Sequence, residues 1–187
     1  MKQIRLFSIL LLALLVGSLL SGCWFAPKDG GIISIGRPYE AENLGQHDGY
    51  NDPDLVKLTD GKIGTDNIGN SAYAGFDLAD SSKPGYIIID LGSPKSVGWV
   101  SVHLFHGSWG VVAPKIINAA VSDDKVTWKD DVTFNIPEEH WNPTLANQNP
   151  DGAWYNLTLK DSGRYVRVGF EDNLYLEKGV LAMVGLG

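Results

Sequence analysis

The feature that most constrains this chain is a series of short β-type segments separated by turn residues. Tyr86-Ile87-Ile88-Ile89-Asp90-Leu91 is an apolar run bounded by Gly85 and Gly92. Its brevity and its isoleucines read as a buried strand rather than a helix. Residues 97–105 alternate: Val100, Val102 and Leu104 face one way, while Ser101, His103 and Phe105 face the other. Residues 115–122, 126–134, 154–159, 165–170 and 179–187 are further strand segments, with Val166, Val168 and Phe170 on a shared face. Ser93-Pro94, Asp123-Asp124 and Asp161-Ser162-Gly163 supply turns between them. No segment carries a sustained helical stripe. The pattern predicts an all-β antiparallel sandwich or barrel. Residues 36–84 are rich in Gly, Asp and Asn and are expected to form long ordered loops, where function concentrates on a β scaffold.

The amino-terminal segment has a different logic. Lys2 and Arg5 precede an apolar run over residues 6–20, shorter than the roughly 20 residues a membrane-spanning helix needs. It matches the apolar core of a secretory signal. Leu20-Ser21-Gly22-Cys23 follows and matches a bacterial lipobox, in which the thiol of Cys23 receives a diacylglyceryl group. Residues 1–22 are therefore expected to be a signal peptide, and 23–31 a lipidated cysteine and short tether. Residues 32–187 form one domain, since no Pro/Ser-rich break or internal repeat divides them. Two or more acyl chains anchor stably where one is marginal. The expected location is extracytoplasmic, held to a bacterial membrane by lipid alone.

Charge and cysteine usage narrow the function classes. The formal net charge is −7, and removal of Lys2 and Arg5 with the signal takes it to −9. Such a surface repels phosphate backbones, which argues against nucleic acid as a partner. One cysteine excludes an intramolecular disulfide framework and a Cys-rich zinc site. There is no His-Glu-x-x-His, no Gly-x-Ser-x-Gly and no phosphate-cradling glycine loop. The carboxylates are dispersed along turns, so a small glycosidase, which needs a facing pair, is the less favoured enzyme alternative.

Two constellations remain. Lys57-Leu58-Thr59-Asp60-Gly61-Lys62-Ile63-Gly64-Thr65 contains a tight Asp-Gly turn. Calcium takes about six to eight oxygen ligands, many from the backbone. The loop can supply Asp60, the Thr65 hydroxyl and the carbonyls of Lys57 and Lys62; the same dipeptide also serves as an ordinary turn. The aromatics form the second group. Trp99 and Trp128 lie in strand patterns and are expected in the core. Trp109, in His106-Gly107-Ser108-Trp109-Gly110, and Trp141, after Glu138-Glu139-His140, lie in loops. An exposed indole there is a platform for the apolar face of a sugar ring or a protein hot spot; alternatively each covers an end of the core.

Six motifs then fall in a familiar order: Lys57-Leu58-Thr59-Asp60-Gly61, Ile88-Ile89-Asp90-Leu91-Gly92, the 97–104 strand, Pro114, Val121-Ser122-Asp123-Asp124 with Thr127-Trp128, and Gly163-Arg164-Tyr165-Val166-Arg167-Val168. In that order they resemble the coagulation factor V/VIII type C (discoidin) domain, and particularly its bacterial relatives among the family 32 carbohydrate-binding modules. The resemblance spans about residues 38–187. It implies a galactose-binding-like jelly-roll β-sandwich with structural calcium on the Lys57 carbonyl, Asp60, the Lys62 carbonyl and Thr65. Family members often add an acid in the closing strand; here residues 180–185 contain none, and Glu177 lies just upstream. The sugar-binding loops vary within the family, so His106 and Trp109 are chosen on position, with Tyr73, Trp141 and Arg37 as further candidates. The expected protein is a non-catalytic, surface-anchored module for a glycan or polysaccharide. An adhesion or protein-interaction module of the cell envelope is the alternative on the same fold.

Overall fold

The alternating segments pair into strands whose inward residues build one core. The computed structural model describes residues 31–64, 69, 71–107, 111–146, 151–171 and 180–186. All described residues belong to one compact unit, Gly31–Gly187. Cys23 and its tether lie outside them.

The strands are β1 (Tyr39–Glu42), β2 (Leu44–Gln46), β3 (Ala74–Leu78), β4 (Gly85–His106), β5 (Ile116–Ser122), β6 (Lys129–Asn135), β7 (Asp151–Glu171) and β8 (Val180–Leu186). A 3-10 turn occupies Lys57–Thr59, and two single-turn helices, α1 (Glu138–Trp141) and α2 (Pro143–Ala146), precede β7. All strand pairs are antiparallel, in the order β2-β3-β8-β4-β7-β5-β6, with β1 on β4.

β4 and β7 are each one long strand where the sequence pattern predicts two. The Ser93-Pro94 and Asp161-Ser162-Gly163 signals do not end strands: Ser93-Pro94 falls in a register shift, and directly after it Lys95 pairs with Gly163, Ser96 with Ser162 and Val97 with Asp161. Register shifts flank this stretch, and both strands bend there together. Gly92 takes a positive φ of 81° at the bend. Gly163 is tightly enclosed, since a Cβ there would sit 2.8 Å from the Ser122 backbone.

The first halves of β4 and second half of β7, with β1, β5 and β6, form one layer. The remaining halves, with β2, β3 and β8, form the other. Ile87, Ile89, Leu91, Ile117, Ala119, Val121, Val166, Val168 and Phe170 from the first layer meet Val100, Val102, Leu104, Tyr155, Leu157 and Leu159 from the second. Each fully buried aliphatic side chain contributes about 1.5–3 kcal/mol. Trp99 and Trp128 are only half-buried and lie outside this core, which corrects their sequence assignment. Trp128 immediately precedes β6 and stacks on Arg167.

Residues 36–84 hold three short strands and the 3-10 turn. Asp52, 1% exposed, organises them. It accepts hydrogen bonds from the Tyr39 hydroxyl and, at 2.8 Å, from the Lys57 N–H, while its own carbonyl accepts Gln46 Nε2 at 2.9 Å. Burial and the Asp52 charge push the Tyr39 phenol far above its usual range, so it stays a donor.

Candidate functional site: an exposed indole on a ladder of buried rings

Alternation along β7 sends Tyr155, Leu157 and Leu159 inward and Trp154, Asn156 and Thr158 outward. Among the described residues Trp154 is the one aromatic ring that is exposed, at 43%. It lies opposite His103 in the β4–β7 ladder. Their rings are 4.8 Å apart and tilted by 37°. Beneath His103 lies Tyr73, stacked at 6.0 Å and 17°, and Tyr73 meets Phe105 edge-on at 5.8 Å. Tyr73, Phe105 and Val111 make a small second core on the outer face of this layer. Two glycines allow the chain to pass close to it. A Cβ on Gly64 would lie 2.4 Å from Tyr73 Cζ, and one on Gly152 would lie 2.4 Å from His103 Nε2. The result is an indole held rigidly from below with its outer surface in solvent.

Trp154 was not among the residues singled out by sequence. Its signal was present: it is the outward residue of an alternating strand, where a polar side chain is the ordinary choice.

The predicted residues fall in several places. Trp109 lies outside the described residues. Tyr73 is fully buried and offers no ring face to a ligand; it supports His103 instead. His106 is 3% exposed, so it is not a surface hydrogen-bonding group. Its ring stacks on His140 at 4.2 Å and 18°, and its Nδ1 has no hydrogen-bond partner among the described residues. Burial, with the nearby His140 and His103, pushes its pKa down to about 4. His140 is also lowered by burial, and its Nδ1 lies 2.7 Å from the Tyr155 hydroxyl. Both rings are therefore neutral near pH 7, which lets them stack without repulsion. Trp141 is half-buried against the main core; its Nε1 donates to the Ile136 carbonyl at 3.1 Å, and Lys115 Nζ covers its ring at 5.0 Å. It caps an end of the core. Arg37 lines a cavity of about 270 Å³ with Asp54, Leu55 and Asp60, which contains no aromatic ring.

The Asp-Gly loop forms the expected tight turn, with Gly61 at φ 80°. Asp60 Oδ1 accepts the Lys62 N–H at 2.8 Å, and Oδ2 lies 3.2 Å from Lys62 Nζ. The Lys57 N–H is taken by Asp52, which orients the 3-10 turn, and β8 lies against that turn. Thr65 and Glu177 lie outside the described residues. The donor set is oxygen-only, as a hard cation requires. The Lys62 ammonium that neutralises Asp60 is itself 75% exposed, so a cation can replace it by a side-chain swing. No cluster of three or more His, Cys, Asp or Glu suited to a metal occurs among the described residues; a site built mainly from carbonyls and hydroxyls does not need one.

No family model matches the chain, and no curated protein matches it. Solved structures do. The lectin domain of lectinolysin, complexed with Lewis B antigen, superposes with a TM-score of 0.55 at 14% identity, covering 83% of this chain and 95% of that one. A Streptococcus pneumoniae fucose binding module gives 0.55 at 16% identity, covering 84% and 96%. CpGH89CBM32-5 from Clostridium perfringens, in complex with GalNAc-β-1,3-galactose, gives 0.56 at 12% identity, covering 84% and 99%. At such identities the likeness speaks for the fold, and it covers nearly the whole length of each neighbour. The chain has the antiparallel β-sandwich fold of these three structures.

Proposed function

We propose that this protein is a non-catalytic carbohydrate-binding module, held outside a bacterial membrane by lipid on Cys23, which binds a glycan across the Trp154 platform. The observation that carries the reading is the exposed Trp154 ring seated on His103 and Tyr73. A sugar ring presents an apolar C–H face to such an indole, while its hydroxyls need polar neighbours. Asn156 and Thr158 lie along the same outward row, and His103 is paired with Trp154 across the ladder. The ring pays little entropy on binding, because its support is already packed. Three solved neighbours of this fold are described with glycan ligands or as fucose-binding, which supports the class of ligand.

Calcium belongs to the reading as a structural ion. The Lys57 and Lys62 carbonyls, Asp60 and Thr65 would hold it, and its role is to rigidify the loop between β2 and β3, with no chemistry.

A glycan array with the full chain and with Trp154→Ala tests the proposal. Binding that falls at least tenfold in the variant, about 1.4 kcal/mol, supports it. A blank array, or binding untouched by the substitution, overturns it.

A further inference from the structure

Two loop segments hold in water side chains that ordinarily turn away from it. Seven large hydrophobic side chains are exposed among the described residues. Four of them, Ile32, Ile35, Val56 and Ile63 at 41, 53, 52 and 54%, lie within residues 32–35 and 56–63. Local folding sorts each segment. In the turn over residues 33–36, Ser34 is fully buried and Ile33 packs on the core, which leaves Ile32 and Ile35 outside. In the 3-10 turn Leu58 and Thr59 are buried, which leaves Val56 outside. The two segments are tied together. The Gly36 N–H donates to the Thr59 carbonyl at 2.7 Å, and the Thr59 hydroxyl donates to the Arg37 carbonyl at 2.7 Å. Ile35 lies over Gly61, where a Cβ would stand 3.6 Å from its Cδ1, and Ile63 follows two residues later. Apolar residues scattered singly over a surface need no partner, whereas a gathered set marks a contact.

Two observations say what covers this patch. The first is where the chain enters it. Ile32 directly follows Gly31, and only residues 23–30 separate Gly31 from the start of the tether at Cys23. Such a segment reaches at most about 28 Å when extended and about 16 Å as a flexible coil. Lipid on Cys23 therefore keeps the patch within that distance of a bilayer. At that range a contact too weak for free molecules forms readily, because the effective concentration is high. The second observation is charge. Around the patch Arg37 and Lys62 balance Asp54 and Asp60, whereas the chain without Lys2 and Arg5 carries −9. Anionic headgroups repel the acidic remainder of the domain and spare this neutral, apolar end. Arg37 lines the cavity beside Val56, and its guanidinium has no ion pair among the described residues, which leaves it available to a lipid phosphate.

We propose that this patch rests on the bilayer, so that the domain is held against the lipid surface by Ile32, Ile35, Val56 and Ile63 and does not swing freely at the end of its tether. The inference rests on the reading of Cys23 as lipidated. It assigns the patch a partner that the glycan platform does not use.

The test uses the full chain, expressed with its own signal and reconstituted in vesicles of phosphatidylethanolamine and phosphatidylglycerol. An environment-sensitive fluorophore is placed through Ile63→Cys, and the mass of the amino-terminal peptide reports whether Cys23 carries lipid. The label should emit to the blue of its position in water and be quenched at least twofold by brominated lipid. Ile35→Ser with Val56→Ser in the same lipidated chain should return it to the water value. A lipidated chain whose label stays water-like, or one unmoved by the two serines, overturns the patch and leaves the Cys23 reading standing. A chain without lipid on Cys23 overturns both. A blue shift that vanishes as the chain is diluted in the vesicles assigns the patch to a second copy and also overturns the proposal.

Discussion

The two outer faces of the sandwich solve the same packing problem with different chemistry. On one, Trp154, His103, Tyr73 and Phe105 stack into a ladder with imidazole in the middle. On the other, Tyr86, Arg167 and Trp128 stack with guanidinium in the middle. An imidazole changes charge near neutrality, whereas a guanidinium holds its charge at every ordinary pH. The second face is therefore set to respond to salt at any ordinary pH. The glycines differ too. Gly152 lets backbone pass against His103, and Gly169 lets Tyr86 and Asn118 close over the sheet.

The largest effect should come from filling those two spaces. Gly152→Ala would drive a Cβ into His103, and Gly169→Ala would drive one into the Asn118 amide. Overpacking of this kind costs about 1–3 kcal/mol. Denaturant melts should show both losses, and only Gly152→Ala should also abolish binding at Trp154. Equal loss of that binding in both variants would mean that the faces are not independent.

Acid acts next on neither outer face but on the inward side of β4, where His106 shares the parity of Val102 and Leu104. His106 is held at about 4 in the folded chain against 6.5 when exposed. A lowered pKa means the unfolded chain binds the proton more readily, so stability is complete above pH 6.5 and falls as pH drops from 6.5 towards 4. The expected loss is about 2–3 kcal/mol over that window. His106→Phe should flatten it, and a melt series across the range measures both. An unchanged slope in the variant would show that the stacked His106–His140 pair is not the sensor.

Smaller effects follow. Chelator should lower the melting temperature if calcium occupies the Asp60 loop, because an ion bound only to the folded chain stabilises it by mass action; Asp60→Asn should remove that response. Least of all, Asp90→Asn should cost about 0.5–1 kcal/mol. Arg164 holds the Asp90 carboxylate with two hydrogen bonds, 2.8 and 2.7 Å, and its pKa is pushed down to about 2. The pair is partly exposed, at 43% and 27%, so water screens it. Its contribution is present above pH 4 and fades as pH falls towards 2, so variant and parent should differ at neutral pH and converge in acid.

Much of the fold was legible because the strand pattern is local. Val100, Val102 and Leu104, and Val166, Val168 and Phe170, point inward as their alternation requires. The continuity of β4 and β7 through Ser93-Pro94 and Asp161-Ser162-Gly163 was not legible, since it arises from pairing between segments far apart in sequence. The site was less visible for the same reason. His106 reads as a loop-end hydrogen-bonding residue until His140, brought by α1, stacks on it. Tyr73 reads as a loop aromatic until Phe105 and Val111 enclose it. Trp128 reads as core until Arg167, from another strand, draws it to the outer face. Trp154 was readable from its place on the outward row of β7, where a polar residue was to be expected.

The most direct test of the account is glycan binding by the full chain and by Trp154→Ala, with thermal melting run alongside. The exposed ring predicts a melt changed by less than about 0.5 kcal/mol, as at other surface positions, together with at least a tenfold loss of glycan affinity. Undiminished binding by a folded Trp154→Ala protein would contradict it.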